Sequence, residues 1–250
     1  MKRFAKPLCF TLSLLPIAAL AGWFSIQYQL RITDPAQLES LTAQLGGAEA
    51  LISIYVLQTV LYAAVCGFFG YLLAARLGLM RPLRFERPPL LRTLACGLVF
   101  GALFSLDYWT FGAWMPALRG ADYGFDAVTW LASILYGGVV EETMLRLFVM
   151  SLAAWLLWKL CFREKAAPPT GVLVAANVVA ALLFAAGHLP GTAQVFGELT
   201  PLLVFRCFLL NGGFGLVFGR LYRKYGIQYA MLCHALLHVV SRTIWMIAAG

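Results

Sequence analysis

The feature that leaves this chain least choice is a run of apolar residues from about Val128 to Trp158, interrupted by Glu141, Glu142 and Arg146. A helix of about 20 apolar residues spans the hydrocarbon core of a bilayer, so a run of this length is read as a membrane helix. Each ionised group near the bilayer centre costs roughly 2.5–3.5 kcal/mol, whereas a Leu or Ile returns about 0.3–0.6. Three charges in one span therefore require many apolar neighbours and paired partners. An ionisable cluster at that depth marks a candidate functional site.

The rest of the chain has the same character. Of 250 residues, 62% are hydrophobic and 12% charged, where a soluble domain is nearer half and a quarter. The expected fold is all-α: a polytopic membrane helix bundle of about seven transmembrane helices, or eight if the Val128–Trp158 run splits at its Gly137-Gly138 bend. The length leaves no room for a separate soluble domain. Residues 1–127 are read as three N-terminal spans with their loops, and 128–250 as a catalytic core within one continuous membrane domain. The six cysteines are scattered in or beside apolar segments without a CxxC, which points to small buried hydrophobes rather than disulfides or a zinc knuckle.

The other spans are expected at about Leu8–Tyr28, Ala50–Ala75, Leu90–Phe111, Val172–His188, Pro201–Tyr222 and Gln228–Ala248. The loop from Arg31 to Glu49 reads as polar, and Pro190-Gly191 as the end of the fifth span. Ala19-Leu20-Ala21-Gly22 resembles a signal-peptidase site, but the apolar run continues past it, and an uncleaved first helix is expected. A net charge of +8 could suggest nucleic acid, yet the basic residues lie at helix ends rather than in one patch. With the N-terminus cytoplasmic, 14 Lys and Arg fall inside, from Lys2 to Lys224, against Arg31 and Arg119 outside. That asymmetry is the positive-inside pattern of a multi-pass protein, expected in a bacterial inner membrane and with no nucleic-acid partner. Arg146, Arg206 and Arg242 remain in or near the membrane. Arg206 and Arg242 are read as snorkelling to an interface or binding lipid, with carboxylate binding conceivable for Arg206.

Glu142 and Arg146 stand at i and i+4, so they stack on one helix face as a supporting ion pair. Glu141 is rotated by about 100° and is the candidate general base; a purely structural salt-bridge cluster is the competing reading. All three histidines, His188, His234 and His238, fall in or at the ends of spans, and His234 and His238 are again i and i+4. Three such imidazoles beside two glutamates point to one shared site. Their depths do not match on straight helices, since His188 lies near the outer end of its span and His234 near the inner end of the last one. Asn211-Gly212-Gly213-Phe214-Gly215 with Gly219 reads as a close-packing surface, not a phosphate loop.

Glu141-Glu142-x-x-x-Arg146, Phe184-x-x-x-His188 and His234-x-x-x-His238 resemble, in order and spacing, the motif set of the CPBP family, the CAAX prenyl protease type 2 and bacteriocin-processing (Abi) family. The resemblance covers about residues 128–242. It implies an intramembrane endopeptidase that cleaves a membrane-associated protein or peptide with a water activated by Glu141 and His188. His234 would be an oxyanion donor, and Glu142 and Arg146 the supporting pair. The family usually carries Asn or Asp where this chain has His238; a neutral imidazole also donates a hydrogen bond. No cofactor is required on that reading. A zinc site of His188, His234, His238 and Glu141 is the alternative at the same place, and a non-enzymatic membrane scaffold or immunity protein is a further one.

Overall fold

The computed structural model describes residues 2–115 and 126–249. Arg119 and Asp122, read above as parts of an outer loop, lie outside the described residues. The helices are α1 (Lys2–Ile32), α2 (Pro35–Leu45), α3 (Ala48–Arg76), α4 (Arg87–Ser105), α5 (Ala127–Cys161), α6 (Thr170–Gly187), α7 (Leu189–Phe196), α8 (Pro201–Tyr225) and α9 (Ile227–Ala249). Short helical turns carry α4 on to Trp114. Among the described residues seven helices are long and apolar enough to cross a membrane: α1, α3, α4, α5, α6 continued by α7, α8 and α9. Among the described residues there is no strand. The expected all-α bundle of seven spans is what the chain forms, and the Val128–Trp158 run stays one segment.

Two expectations need correction. The segment between the first two spans is not simply a polar loop, because Pro35–Leu45 is helical. Asp34 caps it by accepting from the amides of Ala36 and Gln37 (3.0 and 3.1 Å), and Gly46 ends it in the left-handed conformation that glycine tolerates. Nor does Pro190 end helical structure: it occupies the first turn of α7, where a proline forfeits no intrahelical hydrogen bond.

Lipid tails are as apolar as leucine, so large side chains gain little by turning inward, and helices meet through small residues. Leu61, Leu98, Leu182 and Phe205 face outward, whereas Ala21, Ala74, Ala176 and Ala180 are buried. The buried face of α4 is Thr93, Gly97, Gly101 and Ser105, a stripe at i+4 spacing against Leu236 and Val240 of α9. A Cβ on Gly101 would come within 2.5 Å of the Val240 Cβ. At one end of the bundle, the loop before α4 packs on the start of α9: Tyr229 Oη accepts from the Glu86 amide (2.7 Å), and Gln228 Nε2 donates to the carbonyls of Pro82 and Arg84. At the other end, Arg31 of α1 pairs with Asp126 at the start of α5 (2.6 Å), and Gln194 of α7 donates to Thr33 (2.8 Å).

Candidate active site

Two stretches of α5, Ser133–Glu141 and Thr143–Met150, are wound with i→i+5 hydrogen bonds, a π-helical form that is rare and concentrated at functional sites. This part of α5 faces α9 across a close approach. Gly137 leaves no side chain between them, since a Cβ there would meet His238 Nε2 at 2.9 Å and His234 Nε2 at 3.3 Å. Of the two glycines read as a bend, Gly137 thus admits the imidazoles of α9, and Gly138 makes room for Ala235.

The expected i,i+4 pair is present and fully buried: Arg146 Nη1 lies 3.1 Å from Glu142 Oε1. The guanidinium is enclosed by aromatic faces, 4.5 Å from the Phe184 ring centroid and 5.3 Å from that of Phe218. A Cβ on Gly215 would meet Arg146 Nη2 at 2.9 Å, so the glycine-rich stretch of α8 makes room for the cation. Glu142 Oε1 also accepts from His234 Nδ1 (2.8 Å). Glu142 Oε1, which also faces the Arg146 guanidinium, is the acceptor of this bond, so the hydrogen sits on His234 Nδ1. His234 Nε2 then faces His238 Nε2 at 3.2 Å, with the His234 ring stacked on Phe218 (centroids 4.4 Å apart).

Glu141, on the adjacent helix position, turns into the cavity. Its Oε1 lies 3.7 Å from His188 Nε2 and its Oε2 lies 4.0 Å from His234 Nε2. His188 Nδ1 donates to the Phe184 carbonyl (2.8 Å), a group that only accepts, so a neutral His188 presents Nε2 as an acceptor. The mismatch of depth does not arise. α6 ends at Gly187 and the chain turns through His188 into α7, whose Gly191, Thr192 and Val195 line the cavity, so His188 sits at the cavity rather than beyond it. Among the described residues no group of three or more His, Cys, Asp or Glu side chains is arranged to hold a metal ion.

The cavity is about 580 Å³ and reaches well past these groups. Ser25, Tyr28 and Gln29 of α1 and Tyr55 of α3 form part of its wall, as do Asp107, Arg206 and Arg242. Arg206 and Arg242 therefore do not snorkel outward as expected. Arg206 holds the buried Asp107 with two hydrogen bonds, one from Nε at 2.7 Å and one from Nη2. Arg242 Nε donates to Ser133 Oγ at 3.0 Å. Asp107 and Ser133 were not foreseen. The only signal for Asp107 was that an arginine inside a span needs an anion, and Asp107 stands at the end of another span.

The structure defines the class first: a multi-pass membrane protein that encloses an ionisable cavity within its helices. Residues 123–240 match the family model described as "Rce1-like: Type II CAAX prenyl endopeptidase Rce1-like". The matched stretch, just under half of the chain, contains all three motifs, and over it the chain is similar to the CPBP-type intramembrane proteases. No curated protein and no solved structure matches the chain.

Proposed function

We propose that this protein is a glutamate-type intramembrane endopeptidase acting on a membrane-associated protein or peptide. The observation that carries this reading is the position of Glu141, at the cavity wall with His188 Nε2 3.7 Å from one carboxylate oxygen and His234 Nε2 4.0 Å from the other. A separation of 3.7 Å is too long for a direct hydrogen bond and suits one bridging water. Such a water donates one hydrogen to Glu141 and the other to His188 Nε2, which leaves its lone pair for the scissile carbonyl carbon. As the new C–O bond forms, the water proton passes to Glu141 and the carbonyl π electrons move onto oxygen. When the C–N bond breaks, that proton goes to the departing amine.

The oxyanion is met by the His234–His238 pair. Glu142 takes the Nδ1–H of His234, so in the neutral pair the proton between the rings is carried by His238 Nε2. That N–H of His238 is shared between His234 Nε2 and the oxyanion, in the place where an amide side chain donates elsewhere in the family. Arg146 holds Glu142, and Glu142 holds His234. On this reading residues 128–250 carry the chemistry, and residues 1–127 supply walls of the cavity through α1 and α3.

The test is Glu141→Gln, which keeps shape and removes the base. In proteoliposomes with a reporter peptide, cleavage should fall by at least about 100-fold while the protein remains in the membrane. Undiminished cleavage by that variant would sink the proposal.

A further inference from the structure

The glycine-rich stretch 211–215 of α8 packs closely, but its first residue does not face a helix. A Cβ on Gly212 would touch Ala185 of α6 at 3.7 Å, and one on Gly215 would meet Arg146 and Phe184 at 2.9 and 3.3 Å. Asn211 instead lines the cavity. It lies in Phe208–Gly212, which is wound with i→i+5 hydrogen bonds like the two stretches of α5. Its Nδ2 donates to the Cys207 carbonyl (3.1 Å) and to Cys207 Sγ (3.5 Å). A carbonyl only accepts, so the amide nitrogen faces Cys207 and Oδ1 points the other way. Among the described residues Oδ1 has no partner, which leaves an open acceptor in the cavity wall.

The neighbours of Asn211 set its height. Cys207 Sγ donates to the Ala185 carbonyl (3.2 Å), which also accepts from the His188 amide (3.1 Å). Asn211 is thereby tied to the turn that carries His188. On α8 it continues a cavity-lining row with Phe214, which packs on Phe104, and Phe218, whose ring stacks on His234. Seven residues separate Asn211 from Phe218, about 10 Å along the helix.

We propose that Asn211 is a substrate-binding residue whose Oδ1 accepts a main-chain N–H of the peptide within about three residues of the scissile bond. This rests on Glu141 being the base that marks where the bond is cut. An extended chain advances about 3.3–3.6 Å per residue, so about 10 Å is three residues. The class of ligand follows from the acceptor. With Nδ2 held by Cys207, the side chain takes only a donor, and its oxygen is uncharged. An extended peptide brings N–H groups that its own backbone does not pair, and a cavity with so much Leu and Phe in its wall penalises any left bare. The N–H groups inside a helix are already taken, so this contact selects an unwound segment and fixes its register without reading its side chains.

The experiment uses the full chain in proteoliposomes and reporter peptides in which one amide at a time, among the three on either side of the scissile bond, is replaced by an ester. The ester keeps the shape and removes the N–H. For the wild-type protein one position should lower kcat/KM by about 10-fold, mostly through KM. Asn211→Leu should lower kcat/KM on the all-amide peptide by a similar factor and show no further loss with the ester at that position. Asn211→Ala carries the same prediction should the leucine variant not reach the membrane. A packing role for Asn211 lowers the rate on every peptide and leaves the ester effect intact, which overturns the proposal. A wild-type protein indifferent to the ester at all six positions overturns it without any variant. Cleavage retained by Glu141→Gln removes the hydrolytic reading instead, and the ester comparison still decides the role of Asn211. If no peptide is cleaved, that comparison is read as affinity by tryptophan fluorescence, and equal affinities for amide and ester overturn it.

Discussion

Arg146 lies without exposure between Glu142 and the rings of Phe184 and Phe218, and it meets its carboxylate as an ion contact at 3.1 Å rather than as an aligned hydrogen bond. Taking one member from a buried pair leaves the other charge uncompensated, at a cost of about 3–5 kcal/mol. Arg146→Met should therefore lower the unfolding temperature in detergent sharply. The double change Glu142→Gln with Arg146→Met should be milder, because no charge is left behind. Differential scanning of the two proteins checks the ordering; a double variant worse than the single one would mean that the pair is not coupled. His238 makes a finer point at the same scale. If its work is to present an N–H beside His234, His238→Asn should keep cleavage within about 10-fold of wild type, whereas His238→Ala should lose about 100-fold or more. Equal losses, read as kcat on the reporter peptide, would assign His238 to packing.

At the scale of elements, α5 brings each pair to its neighbour, and its entry point is defined by one residue. Asp126 caps the helix, accepting from the Thr129 amide (2.9 Å), the Thr129 hydroxyl (2.6 Å) and the Val128 amide (3.3 Å), and it pairs with Arg31 of α1 (2.6 Å). Burial alone would push this carboxyl up, but the hydrogen bonds from Thr129, Arg31 and Val128 prevail and hold it below the ordinary carboxylate range. A depressed acid contributes stability that is fully present above its unfolded value, about pH 4, and that fades as pH falls toward the folded value. Asp126→Asn should thus melt below wild type at neutral pH, with the gap closing below about pH 4. Melting curves at several pH values check this, and a gap that widens in acid contradicts the sign. Elsewhere the elements divide their labour by residue size: Gly97 and Gly101 let α4 lie on α9, and Gly137 lets α5 admit the imidazoles of α9.

At the scale of the whole molecule, the two ends differ. The Arg84 loop packs against the start of α9, while α2, the start of α5 and the end of α7 lie at the opposite end. On the positive-inside expectation from the count of Lys and Arg, the Arg84 end would face the cytoplasm, and labelling tests this. With the native cysteines replaced, a single cysteine at Arg84 should react with an impermeant maleimide only from the cytoplasmic side, and one at Ser40 only from the other. Labelling of both from the same side would refute the arrangement.

Much of this was readable in the sequence because it is local. Hydropathy set the seven spans, since any long apolar run must satisfy its backbone internally and does so as a helix. The i,i+4 geometry set Glu142 beside Arg146 and His234 beside His238, because a helix fixes such neighbours whatever surrounds it. The charges in the Val128–Trp158 run pointed to a candidate site, and their motif spacing to the kind of family that residues 123–240 match. Contacts between residues remote in sequence were decided only by the fold. Asp107 meets Arg206 across 99 positions, Ser133 meets Arg242 across 109, and Glu142 meets His234 across 92. The turn at His188 and the π-wound stretch of α5 set the depth and facing of the histidines, which straight-helix counting misplaces. Periodicity states which residues share a face; which faces then meet, and at what height, depends on how small residues let helices approach one another, and that is a property of the packed molecule.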